Sequence, residues 1–278
     1  MTTEQRYRGM DRAALDAAYN NSAAVRDSAA IVAEWDRRSA AFAASHAQHL
    51  DLRYGARERN RIDYFPAASR GGPVLVFIHG GYWQMRAKET FRFVAAGPLA
   101  HGLDVALIAY TLAPAATLTE IVAETRDALT WLAGNLKDLG GDPQRIYLSG
   151  WSAGGHLTAM SLDHPAVRGG LAISGIYDLE PIRLSYLDEK LHLTPDEVER
   201  LSPQRCMTAI TRPLVIAYGG AELPELQRQS REYGASLDRA SAALKLVELA
   251  RHDHFSILEA LGDPRGEVAA LAVELCTS

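Results

Sequence analysis

This sequence predicts an α/β fold, a mostly parallel central sheet with helices on both faces. Three observations predict it. Short apolar runs alternate with longer stretches of helical periodicity from about residue 73 onward, the arrangement that builds parallel sheets through helical crossovers. The run PVLVFI (73–78) is apolar throughout, which suits a central strand covered on both faces. The chain has 278 residues, 47% of them hydrophobic, enough for one large core, so a single domain spanning 1–278 is expected.

The elements follow in order. From Asp11 to about residue 50 apolar residues recur at helical spacing, Leu15, Ala18, Tyr19, Val25, Ile31, Val32, Trp35 and Phe42 among them, which predicts a helical lead-in. RIDYFP (61–66) reads as a short strand, followed by PVLVFI. A helix over about 87–100 leads to the strand DVALIAY (104–110), and another over about 118–137 ends at the GGDP turn before RIYLSG (145–150). The strands GLAIS (170–174), PLVIAY (213–218) and LKLVEL (244–249) continue the pattern, and a last helix runs from about Phe255 to Glu274. Residues 177–212 interrupt it with polar residues, a Thr-Pro helix start and no strand, and read as a lid-like excursion over the carboxyl ends of the strands.

Composition excludes several function classes. The net charge is −5, with acidic and basic residues interspersed and no basic run to track a phosphate backbone, so nucleic acid is not expected as a partner. No segment has the roughly 18 apolar residues of a membrane span, and the start, MTTEQRYRGMDR, lacks a signal-peptide core. A soluble, cytoplasmic protein with a small-molecule substrate is expected, and a homodimer is open. Cys206 and Cys276 have no metal-ligand spacing and read as free thiols. The chemistry that follows requires no metal or organic cofactor.

GWSAG (150–154) lies between the strand RIYLS and the helical GHLTAMSL, the context of a G-x-S-x-G nucleophile elbow. A sharp strand-to-helix turn holds Ser152 Oγ out beside a helix N-terminus, where negative charge is favoured. A serine attacking a carbonyl needs donors for the oxyanion. HGGYW (79–83), at the end of PVLVFI, supplies them through the backbone N–H groups of Gly81 and Tyr82, together with that of Ala153. His79 reads as a structural residue of this loop. Tyr82 and Trp83 are candidates for contact with substrate, by narrowing the acyl side or stacking on an aryl ring, or else core side chains pinning the loop. Trp131, Trp151 and Met160 read as packing residues.

The base and acid follow the nucleophile in chain order. RHDHF (251–255) lies between the last strand and the last helix, with His254 the chosen base and His252 the alternative. Glu222, in GGAELPE after PLVIAY, is the chosen acid. Glu225 reads as solvated, and Asp178 is the alternative acid or a turn residue.

HGGYW, GWSAGGH, GIYDLEP, GGAELPELQRQS and DHF together resemble the kynurenine formamidase (arylformamidase) branch of the α/β-hydrolases, related to hormone-sensitive-lipase-like esterases, from about residue 15 to the C-terminus. The resemblance implies an α/β-hydrolase fold, a Ser152–Glu222–His254 triad and an oxyanion hole of Gly81, Tyr82 and Ala153. Many members of the branch have aspartate where Glu222 stands. The implied reaction is hydrolysis of an N-formyl aryl amide through a formyl-enzyme, a step in tryptophan catabolism. Two competing readings use the same residues differently: a carboxylesterase acting on small acyl or aryl esters, and a non-catalytic hydrolase-fold binding protein, against which the intact Ser, acid and His set argues.

Overall fold

The computed structural model describes residues 7–206, 210, 212–238 and 244–278. Eight strands form one sheet: β1 (His49–Arg53), β2 (Arg61–Phe65), β3 (Val74–Ile78), β4 (Asp104–Ile108), β5 (Ile146–Trp151), β6 (Val167–Ile173), β7 (Leu214–Gly219) and β8 (Leu244–Leu249). Their spatial order is β1-β2-β4-β3-β5-β6-β7-β8. β2 runs antiparallel to both β1 and β4, and all pairings from β4 to β8 are parallel. This is the α/β-hydrolase architecture.

The two-residue period of β3 divides it between two cores. Val74, Val76 and Ile78 join the helix Leu118–Leu139 and the segment 176–201 on one face. Leu75 and Phe77 join Trp35, Phe91 and the two C-terminal helices on the other. The 118–139 helix starts where Thr117 and Glu120 satisfy each other's backbone N–H groups, and ends at Gly140, whose φ of 92° suits a residue without Cβ. Its face of Ile121, Leu129, Leu132 and Leu136 is fully buried.

Four elements differ from expectation. The lead-in is three helices (Arg12–Ala18, Asn21–Ala24, Ser28–Ser45), and β1 follows as an antiparallel edge strand that HLDLR, with two charged residues in five, does not announce. The helix near 87–100 opens as a 3-10 helix, Lys88–Ala95, before Ala96–Ala100. The last helix is two, Ser256–Gly262 and Glu267–Thr277, broken across Gly262-Asp-Pro-Arg-Gly266 because Pro264 has no N–H to continue the ladder.

The excursion contains short helices at Glu180–Arg183, Asp188–Leu191 and Pro195–Leu201, the last capped by Thr194 as its Thr-Pro start predicts. It is not a loose cover. Leu179, Ile182, Leu187, Leu191, Val198 and Leu201 are buried in the larger core. Residues 207–209 and 211 of the expected excursion lie outside the described residues.

Candidate active site

β5 delivers Ser152. It sits between Trp151, the last strand residue, and the helix Ala153–Ser161, with φ 58° and ψ −117°. A non-glycine residue in that region is strained, and the surroundings hold it there. Its N–H donates to Ile173 O at 2.9 Å, and its carbonyl accepts from His156 N at 3.2 Å. The flanking glycines are required by close approach: a Cβ on Gly154 would lie 1.9 Å from Ile78 O, and one on Gly150 2.1 Å from Gly154 O. The turn therefore fits only because the backbone of β3 meets the helix start with no side chain between them.

β3 delivers the facing loop. Gly81, Tyr82 and Trp83 have φ of 112°, 49° and 58°, and Gln84 N and Met85 N both donate to Gly81 O. A Cβ on Gly81 would lie 2.2 Å from Met85 O, so the loop closes on itself only with glycine. The N–H groups of Gly81, Tyr82 and Ala153 have no acceptor among the described residues. Such free backbone donors suit an oxyanion. His79 anchors the loop as expected: Nδ1 meets Gly80 O at 2.8 Å, and the ring stacks on Tyr110, 4.4 Å away. Burial lowers its pKa to about 4, so it stays neutral.

β7 and β8 deliver the candidate acid and base. Glu222 Oε1 accepts the Ser174 hydroxyl proton and the Gly219 N–H, and lies 3.7 Å from His254 Nδ1. Both side chains are buried, and Glu222 Oε2 and His254 Nδ1 have no hydrogen-bond partner among the described residues. The longer glutamate stem thus folds back on the end of its own strand. Ser174 caps β6 at the same sheet edge and holds this carboxylate. Sequence reasoning placed it only as a strand residue, although a hydroxyl at the carboxyl end of a central parallel strand is a usable signal.

Ser152 and His254 line one cavity of about 40 Å³, with Gly81, Tyr82, Met85 and Trp151. His254 also borders a cleft of about 430 Å³ walled by Val25, Ile31, Leu223 and Pro224. Asn21, Ser22, Val32 and Trp35 close the small cavity. The cover over the site therefore comes from the N-terminal lead-in and not from residues 177–206, none of which lines either space. The reason is packing. Trp35 lies among Phe91, Phe93, Trp151 and Phe255, and its indole N–H donates to Glu259. Tyr82 hydroxyl donates to Tyr19 O at 2.7 Å.

Other candidates fall elsewhere. Trp83 is fully buried, edge-on to His156 at 4.9 Å, and lines neither space, so its place is in the core. Tyr82 lines the small cavity while its hydroxyl is held by the lead-in. Trp151, read as packing, does more: it borders the cavity and its Nε1 donates to His254 O at 2.8 Å. Asp178 pairs with Arg205 and accepts from Tyr7. His252 Nε2 faces Glu267 at 3.1 Å. Glu225, expected to be solvated, pairs with Arg228 at 2.7 Å and is mostly buried. Among the described residues no cluster of His, Cys, Asp and Glu could hold a metal, and no helix is long and apolar enough to cross a membrane.

Residues 63–164, which carry the loop and the elbow but neither acid nor base, match the BD-FAE family. The kynurenine formamidase of Danio rerio is 31% identical over 229 residues, covering 77% of each chain. The chain belongs to the kynurenine formamidase family. The kynurenine formamidase of Salmo salar is similar to this family member at 32% identity over 231 residues, again 77% of each chain. A crystal structure of a candidate thioesterase from Silicibacter sp. TM1040 superposes with a TM-score of 0.83 at 29% identity, covering 95% of this chain and 99% of that one. The protein is an α/β-hydrolase enzyme of formamidase or esterase type.

Proposed function

We propose that this formamidase-family protein hydrolyses an N-formyl aryl amide, N-formyl-L-kynurenine to L-kynurenine and formate. The observation that carries the reading is the size of the cavity beside Ser152. At about 40 Å³ it is roughly a tenth of the ~300–1,000 Å³ of an ordinary ligand pocket, which suits a small acyl group. The adjoining cleft of about 430 Å³, within the usual range for small-molecule sites, takes the aryl amine among Val25, Ile31, Leu223 and Pro224.

In this reading Ser152 Oγ attacks the formyl carbon as its proton passes to His254. The oxyanion is held by the N–H groups of Gly81, Tyr82 and Ala153. His254 returns the proton to the leaving nitrogen, and the C–N bond breaks. Water then attacks the formyl-enzyme, with His254 again as base, and formate departs. Glu222 orients the imidazole and stabilises its charged form. A cytoplasmic setting, in which Cys206 and Cys276 stay free thiols, belongs to the same proposal.

The test is turnover of N-formyl-L-kynurenine by purified protein beside short-chain p-nitrophenyl esters, with Ser152→Ala as control. Ser152-dependent deformylation supports the reading. Ester turnover without deformylation moves the protein to the esterases.

A further inference from the structure

Asn21 and His254 are the two residues that border both the small cavity and the larger cleft. A substrate with its acyl group in one and its leaving group in the other has its scissile bond between them. Asn21 is 5% exposed, and its Oδ1 is buried with no hydrogen-bond partner among the described residues.

The orientation of this carboxamide is fixed by its neighbours. Tyr82 hydroxyl gives its one proton to Tyr19 O at 2.7 Å, so it can meet Asn21 only as an acceptor, and Asn21 Nδ2 donates to it at 3.0 Å. The amide oxygen is left over. It is not spent on the helix it begins, because Asn20 already caps that helix by accepting from Ala23 N at 3.1 Å. An acceptor kept buried without a donor is costly and calls for an explanation, and a donor brought by the substrate is the one this position beside both spaces favours.

We propose that Asn21 Oδ1 accepts the N–H of the substrate formamide, and that this contact makes the site selective for amides over esters of the same shape. The inference rests on the formamidase reading. When Ser152 Oγ bonds to the formyl carbon, the nitrogen keeps its one hydrogen and gains a lone pair that must face His254 to receive the second. In the proposed complex Asn21, which shares both spaces with His254, takes the existing N–H away from the imidazole and so turns that lone pair toward it. The C–N bond then breaks to release the aryl amine. An ester oxygen bears no hydrogen and gains nothing from Asn21.

The experiment compares formanilide with phenyl formate, which share acyl and aryl groups, in the wild type, Asn21→Ala and Asn21→Asp. For Asn21→Ala, kcat/KM on formanilide falls about 10- to 100-fold more than kcat/KM on phenyl formate. Asn21→Asp, which keeps an acceptor, retains most of the amide preference. An equal loss on both substrates overturns the proposal, since Asn21 then acts only by holding Tyr82, and so does an unchanged formanilide rate. N-Methylformanilide, which lacks the N–H, tests the wild type without any variant: turnover at least about tenfold below formanilide is expected, and equal turnover overturns the contact. A wild type that cleaves phenyl formate but not formanilide refutes the formamidase reading itself, a different failure from an unchanged amide-to-ester ratio in the variants.

Discussion

Replacing Glu222 with glutamine tests the acid directly. The change keeps the side-chain length and an Oε1 acceptor for Ser174 hydroxyl and Gly219 N–H, and removes the negative charge 3.7 Å from His254 Nδ1. At that separation and an effective dielectric of ~20, the attraction for an imidazolium is about 4.5 kcal/mol, roughly three orders of magnitude in rate. Both groups are buried, so salt screens this little. The assay is kcat for Glu222→Gln on phenyl formate or formanilide at pH 7, with thermal unfolding to show that the fold survives. A fall of about 10³-fold with a near-native melting temperature is expected. A folded variant within tenfold of wild type would refute the assignment, because the neighbouring carboxylates are engaged elsewhere: Asp178 with Arg205 and Tyr7, and Asp253 with the N–H groups of Phe255 and Ser256.

Three further outcomes follow from the same coordinates. Met85→Ala enlarges the small cavity from a residue 43% exposed, so butyrate esters gain at least about tenfold on formate esters in kcat/KM at little cost in stability, measured with the matched p-nitrophenyl series. Lys88 is buried against Asp63 at 2.8 Å, with Arg92 on the other Asp63 oxygen; Lys88→Met leaves that carboxylate half-paired and costs about 3 kcal/mol in urea unfolding, with kcat/KM unchanged. His79 and His156 are held neutral by burial, their pKa values lowered from 6.5 to about 4, so the unfolded chain binds more protons in that interval and stability is lost as pH falls from 6.5 toward 4. Each contributes a loss of about 2 kcal/mol between pH 7 and pH 5, and His156→Leu removes its share of that slope in urea titrations at the two pH values.

The candidate site's sheet edge was legible because each part follows a strand whose pattern is strong. PVLVFI, RIYLSG, PLVIAY and LKLVEL occupy four parallel strands, and parallel strands end at one edge. Ser152, the loop after His79, Glu222 and His254 come after those strands, so chain order alone carried them to one place. Local rules also set the helix at 118–139, through Thr117, Glu120 and Gly140, and the Thr194 start at 194–195. What did not show was anything joined across distance in sequence. Ser174 reaches Glu222 over 48 residues, Tyr82 hydroxyl reaches Tyr19 O over 63, and Trp151 Nε1 reaches His254 O over 103. No periodicity encodes such pairs, since they depend on which rotamer fills the space that packing leaves.

The sequence by itself therefore determined the sheet, the elbow turn and which candidate residues arrive at one sheet edge, because hydrophobic period, glycines at tight turns and strand order act locally or through chain order. Only the tertiary structure decided what surrounds them. It set Trp83 in the core and Trp151 at the cavity, and it gave the site's cover to residues 21–35 and not to residues 177–206, because the leucines of the excursion are spent in the core while Trp35 docks against Phe255 and Glu259 at the helix Ser256–Gly262. A cavity and an unpaired buried oxygen exist only once every neighbouring side chain is in place.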